Sequence, residues 1–294
     1  MGNTKKILYM ECKTGAAGDM LMSALFSLLP EDKKEIFLRD MNAISDEVSI
    51  VPEEKKNYGI GGVHMNISIR GKEEDEHVHG HHHDHEHSHD HEHGHHHDHE
   101  HSYDHEHGHH HDHEQSHEHH HHHEHTSCQQ MLDKIANLPL NDEVKKDADA
   151  IFRIIGEAES TVHKTAMSQI HFHEIGTIDA LIDVVGCAYA INLLGADEIV
   201  ASPVCVGNGT IRCAHGLLPV PAPATSEIIK GMPIYTSSFD GELLTPTGAA
   251  VIKYYAEKFD KVMNMNIDAV GYGIGTRVYE EPSFVRIFIG DECA

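Results

Sequence analysis

The spacing of apolar and polar positions along the chain changes between the period of a strand and that of a helix. Lys6–Met10 has the short apolar run of a strand, and Asp19–Leu29 carries apolar residues at helical spacing until Pro30. Residues 47–51 and 63–69 are strand-like, and the second of these runs alternates apolar and polar positions. The first part of the chain therefore predicts strands together with a helix.

The second half of the chain repeats this mixture. It predicts two helices, the second with Asn141 as its N-cap, followed by the strand-like segment QIHFHEI (169–175). A buried helix is predicted over 178–194, and a later helix begins at Thr245, with proline at its first position. Further strands are predicted near 197–206, 210–213, 264–270 and 284–289. The whole pattern predicts an α+β fold.

Residues 77–125, which we call the histidine tract, interrupt this pattern. The tract holds 28 of the 33 histidines, and a unit of 14 residues that begins GHHHDHE occurs three times from residue 80. A segment so poor in apolar residues cannot offset its ordering entropy by burial, so we expect it to be disordered without metal. The predicted organisation is a mixed globular domain with a disordered insertion: 1–72 as its first part, 73–125 as the insertion, 126–260 as its second part, and 261–294 as C-terminal strands that could begin a further domain.

Composition excludes several classes of partner. The formal net charge is −26, and the histidine tract contributes 12 acidic residues and no Lys or Arg. A chain this acidic repels nucleic acid and anionic membranes. The six cysteines form no CxxC pair, the N-terminus has no signal-peptide pattern, and the most apolar run, 178–194, is too short for a membrane span. We therefore expect a soluble cytoplasmic protein that binds neither nucleic acid nor membrane.

The chemistry of the histidine tract is metal binding. Neutral imidazole with flanking carboxylates suits divalent Ni, Cu, Zn and Co, and raw affinity alone would favour copper. The tract could be a solvated spacer, or it could store, buffer or deliver metal. The candidate ligands include the paired histidines of each repeat, namely His81, His83, His95, His97, His109 and His111.

A second candidate metal site follows the tract. In an extended strand His171 and His173 lie on the same face, and Glu174 comes next along the chain. Thr177 is a good N-cap, which would put Asp179 in the first turn of the following helix. Two imidazoles with nearby carboxylates at such a junction could hold a metal ion. Alternatively, the histidines brace the fold and the carboxylates cap the helix.

Two small-residue turns are candidates for binding an anion. Gly15, Gly18 and Asp19 lie between a strand and a helix, and Thr245, Thr247 and Gly248 lie at the start of another helix. Glycines permit close backbone approach and helix N-termini attract anions, although neither turn has the ending of a Walker loop. Each could equally be only a tight turn. Gly271, Gly273 and Gly275 lack the spacing of a dinucleotide-binding loop and predict a turn.

His215 is a further candidate, because it stands among small residues just before a proline-rich turn. Such a position could present the imidazole to a cleft. A loop histidine with purely structural partners is the alternative.

Taken together, these motifs resemble the LarC nickel-insertion proteins. The resemblance covers nearly the whole chain outside the tract, and a histidine-rich insertion at this position is also similar to the family. Its anchors are TGAAGDM (14–20), HFHEIGTIDALIDVVG (171–186), SPVCVGNGTIRCAHGLLPVPAPAT (202–225), GELLTPTGAA (241–250) and GYGIGTR (271–277).

The resemblance implies a specific reaction. Such proteins insert Ni²⁺ into a pyridinium mononucleotide with two thiocarboxylate groups, which forms the nickel-pincer cofactor of lactate racemase. The reaction is a nickel chelation, coupled to cytidine triphosphate with Mn²⁺ or Mg²⁺. A ring C–H is exchanged for a Ni–C bond, so a base is needed, and His215, His171 and His173 belong to the right chemical class. Nickel, rather than zinc or copper, follows from the resemblance alone.

Two departures from the family pattern affect this expectation. Glu11 stands where aspartate is expected, and the chain lacks the C-terminal nucleotide-binding domain of longer members. We therefore expect the nucleoside triphosphate to bind a C-terminal partner domain, with lactate racemase as a possible further partner and a homo-oligomer as a possible state. Two other functions stay open: a non-catalytic nickel store or metallochaperone, and a zinc-dependent hydrolase using His171, His173 and Asp179.

Overall fold

The periodic segments of the sequence fold as helices and strands in a computed structural model of the chain. The structure describes residues 4–69, 72–73, 126–172, 178–213, 215–260, 264–277 and 279–293. Within these ranges the helices are α1 (Gly18–Ser27), α2 (Glu31–Asn42), α3 (Cys128–Ala136), α4 (Asp142–His163), α5 (Ile178–Leu194), α6 (Pro223–Ile228) and α7 (Pro246–Tyr255). The histidine tract lies outside the described residues.

The strands in the same ranges are mostly short. They are β1 (Lys6–Glu11), β2 (Val48–Asn57), β3 (Ile60–Ile69), β4 (Lys72–Glu73), β5 (Thr126–Ser127), β6 (His171–Phe172), β7 (Glu198–Ala201), β8 (Val204–Cys205), β9 (Gly207–Asn208), β10 (Thr210–Cys213), β11 (Gly216–Pro219), β12 (Ile234–Tyr235), β13 (Gly241–Glu242), β14 (Lys258–Phe259), β15 (Met265–Gly273) and β16 (Val285–Glu292). Together with the helices they confirm the predicted α+β class.

Helix α4 follows the local signals in its sequence. The side chain of Asn141 accepts a hydrogen bond from the backbone N of Val144 at 3.0 Å, and Lys164 ends the helix in a left-handed conformation. The predicted apolar face is buried, as expected for an amphipathic helix: Val144, Ala148, Ile151, Phe152 and Ile155.

The central sheet is mixed, in the order β14-β7-β1-β16-β15-β3-β2, with β4 paired to β3. Strands β1, β7 and β14 run parallel, whereas β16 is antiparallel to both β1 and β15. The C-terminal strands predicted within 261–294 thus lie in the same sheet as the N-terminal strand. Parallel pairing of β1 with β7 needs a long crossover connection, which the intervening helices supply.

The main core lies between one face of this sheet and the helices. Helix α1 contacts β3, β15 and β16, and α5 packs against α1, α2, α4 and α7. This explains why α5 is buried along nearly its whole length, as its continuous apolar sequence predicts. A smaller cluster of Ile7, Tyr9, Val200 and Phe288 lies apart from the main core. In the part of the chain that the structure describes, no helix is both long and apolar enough to cross a membrane.

Gly271 and Gly273 lie in strand β15, so the predicted turn at these two residues is wrong. A Cβ atom at Gly273 would lie 1.9 Å from the backbone O of Met20, and one at Gly271 would lie 2.2 Å from the backbone O of Ala24. The glycines therefore allow α1 to pack directly onto the strand. Their spacing reflects this close packing, because alternate residues of a strand point to the same face.

Replacing Gly273 by alanine is expected to lower the free energy of unfolding by at least about 1–3 kcal/mol, because the new methyl group would meet backbone atoms of α1 that cannot move freely. Urea unfolding followed by circular dichroism measures the loss. The matched control is Gly61→Ala in β3, where an added Cβ has nothing within 4 Å. Equal midpoints for the two variants would contradict the packing role of Gly273.

Candidate functional site

The two small-residue turns predicted as separate sites lie side by side. The backbone N of Ala16 donates to the O of Leu243 at 2.8 Å, and the N of Thr245 donates to the O of Ala16 at 3.2 Å. A Cβ atom at Gly15 would lie 2.1 Å from the O of Leu243, and one at Gly248 would lie 2.3 Å from the O of Ala16. Both glycines therefore serve the contact between the two turns.

The joined turns form part of the wall of a cleft of about 460 Å³, a size typical of small-molecule sites. Six residues predicted from the sequence line it, namely Gly18, Asp19, Asp179, His215, Thr245 and Thr247. They come from four separate motifs. Gly15 and Gly248 do not line the cleft but hold its turns together. Lining residues that the sequence predictions missed include Glu159, His163, Cys213, Glu242, Arg277 and Tyr279.

Part of the predicted metal site cannot be described. The side chain of His171, the residues His173 and Glu174, and the six named histidines of the tract all lie outside the described positions. The backbone of His171 belongs to β6, which pairs with Thr126–Ser127, the residues directly after the tract. Among the described residues, no group of three or more His, Cys, Asp or Glu side chains could hold a metal ion. The metal role of these residues stays a prediction.

Asp19 occupies the N-terminus of α1 with its own carboxylate. Its Oδ1 accepts a hydrogen bond from the backbone N of Met20 at 2.8 Å, and its Oδ2 accepts from the N of Thr276 at 3.1 Å. The carboxylate thereby ties α1 to the segment that follows β15. Because it also satisfies the helix dipole, this helix N-terminus is poorly suited to a second anion.

Gly18 makes room for a buried acid on α5. A Cβ atom at Gly18 would lie 2.5 Å from Oδ2 of Asp183, whose side chain is buried. Burial, and then the charges of Asp183 and Asp19, raise the pKa of the nearby Cys187 thiol well above its ordinary value. Asp19, Asp179 and Asp183 all line the cleft, and we call these three carboxylates its acidic wall.

The N-terminus of α7 is a better anion site. Oγ1 of Thr245 caps the helix by accepting from the backbone N of Gly248 at 3.2 Å, and it lies 3.0 Å from Oγ1 of Thr247. Pro246 occupies the first helical position, and the first turn has no acidic residue. Thr245 and Thr247 line the cleft, so the helix dipole and the hydroxyl proton not used in the Thr245–Thr247 hydrogen bond are available to a negatively charged ligand.

A cation also lines the cleft. Nη1 of Arg277 lies 3.7 Å from Oε2 of the buried Glu242, and the hydroxyl of Tyr279 donates to the backbone O of Glu242 at 2.6 Å. Burial raises the pKa of Tyr279, which keeps its hydroxyl protonated as a donor. Among the described lining residues, Arg277 is the one Lys or Arg, against five carboxylates. The described part of the cleft is therefore acidic, with Arg277 as its one permanently charged cation.

Glu11, the departure noted in the sequence, lies away from this cleft. Its buried carboxylate pairs with Nζ of Lys13 at 2.8 Å and with Nε of Arg286 at 2.5 Å. In this chain the residue anchors two neighbouring strands, β1 and β16, by ion pairs.

Residues 8–294 match the model of a family described as "Nickel insertion protein". The chain belongs to this family. The resemblance inferred from the motifs is thereby confirmed, and the cleft is the place where those motifs meet. No solved structure matches the chain.

Several curated relatives carry the name pyridinium-3,5-bisthiocarboxylic acid mononucleotide nickel insertion protein. The Clostridium kluyveri protein is 35% identical over 98% of this chain and 62% of its own length. The Clostridium acetobutylicum protein is 40% identical over 98% of this chain and 64% of its own length, and the Geobacillus kaustophilus protein is 34% identical over 98% and 60%. The chain thus spans about three-fifths of the length of these members of the nickel insertion family.

Proposed function

We propose that this chain binds Ni²⁺ and a pyridinium mononucleotide with two thiocarboxylate groups, and inserts the metal to form the nickel-pincer cofactor of lactate racemase. The observation that carries the proposal is the cleft, which is lined by residues of all five family motifs and, among the described residues, by five carboxylates and one guanidinium. The names of the relatives support the same substrate.

The charge of the cleft suits both the metal and the ring. Five carboxylates attract a divalent cation, and they also favour the positive charge of a pyridinium ring. The oxygen atoms of carboxylates and the nitrogen atoms of imidazoles bind nickel less firmly than thiolate clusters do. Such donors can therefore release the ion to an acceptor that binds it through two sulfurs and a carbon.

The phosphate and thiocarboxylate groups of the substrate need positive partners. We assign the phosphate to the N-terminus of α7, where Thr245 and Thr247 face the cleft, because this helix has no acid in its first turn. Arg277 is placed to pair with a further anionic group. Gly18 and Asp19, which were also predicted to bind phosphate, are assigned to the acidic wall instead.

The reaction replaces a ring C–H bond by a Ni–C bond, so one proton must leave. His215 lines the cleft and is the proposed acceptor, and His171 and His173 stay candidates. Cytidine triphosphate with Mn²⁺ or Mg²⁺ is proposed to bind a further domain or partner chain, since so many carboxylates would repel a triphosphate here. Localisation in the cytoplasm is part of the same proposal.

One alternative deserves a test, because the 28 histidines of the tract alone could store nickel. In that case the remainder of the chain would be a scaffold and no substrate would be converted. A zinc-dependent hydrolase is the other alternative from the sequence, and it would need no nickel at all.

The deciding experiment incubates the full chain with Ni²⁺, the thiocarboxylated mononucleotide, cytidine triphosphate and Mn²⁺, with and without a C-terminal partner domain. Mass spectrometry of the nucleotide product measures insertion. We expect a species in which one nickel replaces two hydrogens or their charge equivalent, and no such species with Zn²⁺ alone. Absence of the product under both conditions would overturn the proposed function.

A further inference from the structure

Two imidazoles from distant parts of the chain meet at the cleft. His163 lies in the last turn of α4, and His215 lies in the hairpin between β10 and β11. Their ring centroids are 5.1 Å apart, and the ring planes are inclined by 39°. Two imidazoles that bind one metal through nitrogens at about 2.1 Å have centroids roughly 4.5–5.2 Å apart. The observed separation lies within this range, which overlaps that of ordinary packed ring pairs.

Glu159 orients one of these rings. Its Oε2 lies 3.3 Å from Nε2 of His163, one helical turn away. Metal-binding histidines commonly donate one ring N–H to a carboxylate, which fixes the tautomer and leaves the other nitrogen for the metal. An ordinary ion pair on a helix surface would show the same 3.3 Å contact. What distinguishes this pair is the second imidazole, His215, which another element places beside it.

The backbone under both rings is held in place. After His163, the chain is fixed by Oγ of Ser160, which donates to the O of Thr165 at 2.6 Å, and by the N of Thr165, which donates to the O of Ser160. Next to His215, Cys213 pairs with Gly216, whose φ of 97° closes the hairpin. Ligands on fixed backbone bind metal with little ordering cost.

We propose that His163 and His215 together bind one Ni²⁺ ion in the cleft, with Glu159 positioning His163. This is the ordered site from which the metal passes to the substrate, so the inference rests on the proposed function. A site with two protein ligands leaves open positions for the two sulfurs and the ring carbon of the acceptor.

The transfer of nickel from this site to the ring carbon conserves atoms and charge, and it needs no oxidant or reductant. The Ni–N bond to His215 breaks as the Ni–C bond forms, and the ring carbon loses its proton to the imidazole nitrogen that has just been freed. The metal stays divalent throughout, and the charge of the departing proton is carried by the imidazolium. One side chain can thus act first as a ligand and then as the base.

The test is site-resolved labelling of histidine by diethyl pyrocarbonate on the full chain, at buffered free Ni²⁺ concentrations and without nucleotide. Peptide mass spectrometry separates His163 and His215 from the tract. We expect nickel to protect both rings over the same concentration range. His64, which is buried and hydrogen-bonded to the O of Ile274 at 2.9 Å, is the internal control whose labelling nickel should not change.

Single substitutions distinguish a shared ion from two separate effects. In His163→Ala, nickel should protect His215 only at concentrations at least about tenfold higher, and His215→Ala should do the same to His163. Glu159→Gln should weaken protection of both rings about 10- to 100-fold. His163→Gln repeats the first test in case alanine perturbs the end of α4, and thermal unfolding monitors folding of every variant.

The proposal is overturned if protection of each ring is independent of the other, or if nickel protects His171 and His173 while leaving this pair reactive. No mononucleotide is present in the assay. A failure here would therefore remove this metal site without affecting the insertion assay, and a failure of insertion would leave the labelling result intact.

Discussion

Replacing Arg277 by glutamine is expected to raise the KM for the pyridinium mononucleotide about 10- to 100-fold and to leave kcat within about twofold. The side chain is the one guanidinium among the described residues of an otherwise acidic cleft. A substrate with a phosphate and two thiocarboxylates needs such a partner to overcome repulsion by the carboxylates. The contact exists before and during the reaction, so its loss should affect binding more than turnover.

Steady-state insertion kinetics at saturating nickel measure this effect. Arg39→Gln is the matched control, because Arg39 is an exposed arginine whose Nε lies 2.8 Å from Asp40 and which does not line the cleft. Glutamine can still donate a hydrogen bond to Glu242, and the Arg277 side chain is half-exposed. The free energy of unfolding of the variant should therefore differ from that of the original chain by less than about 1 kcal/mol. A KM equal to that of the control would exclude Arg277 from substrate binding.

The elements that could be predicted from the sequence are those with local causes. Asn141 and Thr245 both act as the helix caps that their residue types predict, and Gly195 follows the buried helix α5 with the positive φ expected there. Helix α2, by contrast, was not predicted. Its sequence is mostly charged and buries only Phe37 and Met41, so it has no continuous apolar face. Its existence depends on the tertiary contacts of those two residues.

The residues of the candidate site also differ in whether a local pattern in the sequence predicts them. The motifs gave six residues that line the cleft, because glycine-rich turns and a helix cap are visible in a local pattern. They gave no indication that Gly15 and Gly248 join two turns more than 200 residues apart. Arg277 and Glu242 lie within two of the family motifs but were not predicted as site residues, because charged residues are common on surfaces and only the fold brings these two together.

His163 was missed for a related reason. A histidine one turn after a glutamate at the end of a helix is an ordinary surface pair, and that is how Glu159 and His163 read along the sequence. What changes this interpretation is the ring of His215, which belongs to a hairpin in another part of the chain. Its centroid lies 5.1 Å from the centroid of the His163 ring. Sequence spacing gives no access to that distance.

Removing the histidine tract should change the nickel dependence of insertion far more than its maximal rate. With residues 77–125 replaced by a short Gly-Ser linker, we expect the nickel concentration for half-maximal insertion to rise about 100-fold or more, with an unchanged rate at saturating nickel. We propose that the 28 tethered imidazoles raise the local metal concentration, whereas the proposed site of chemistry lies elsewhere in the chain. The residues that directly follow the tract form β5, which pairs with β6, the strand that carries His171.

The deletion is compared with a chain in which every tract histidine is replaced by asparagine, which keeps length and carboxylates but removes the imidazoles. If the imidazoles concentrate nickel, both variants should show the same loss at scarce nickel, since carboxylates alone bind the ion weakly. If the carboxylates or the length of the tract matter instead, only the deletion will raise the nickel concentration needed for half-maximal insertion. A store without catalytic function would lose nearly all bound nickel in both variants and form no product in any chain, and a zinc hydrolase would be indifferent to both changes. Only an inserting protein regains its full rate when nickel is abundant, because its tract supplies metal to the site and takes no part in the bond-forming step.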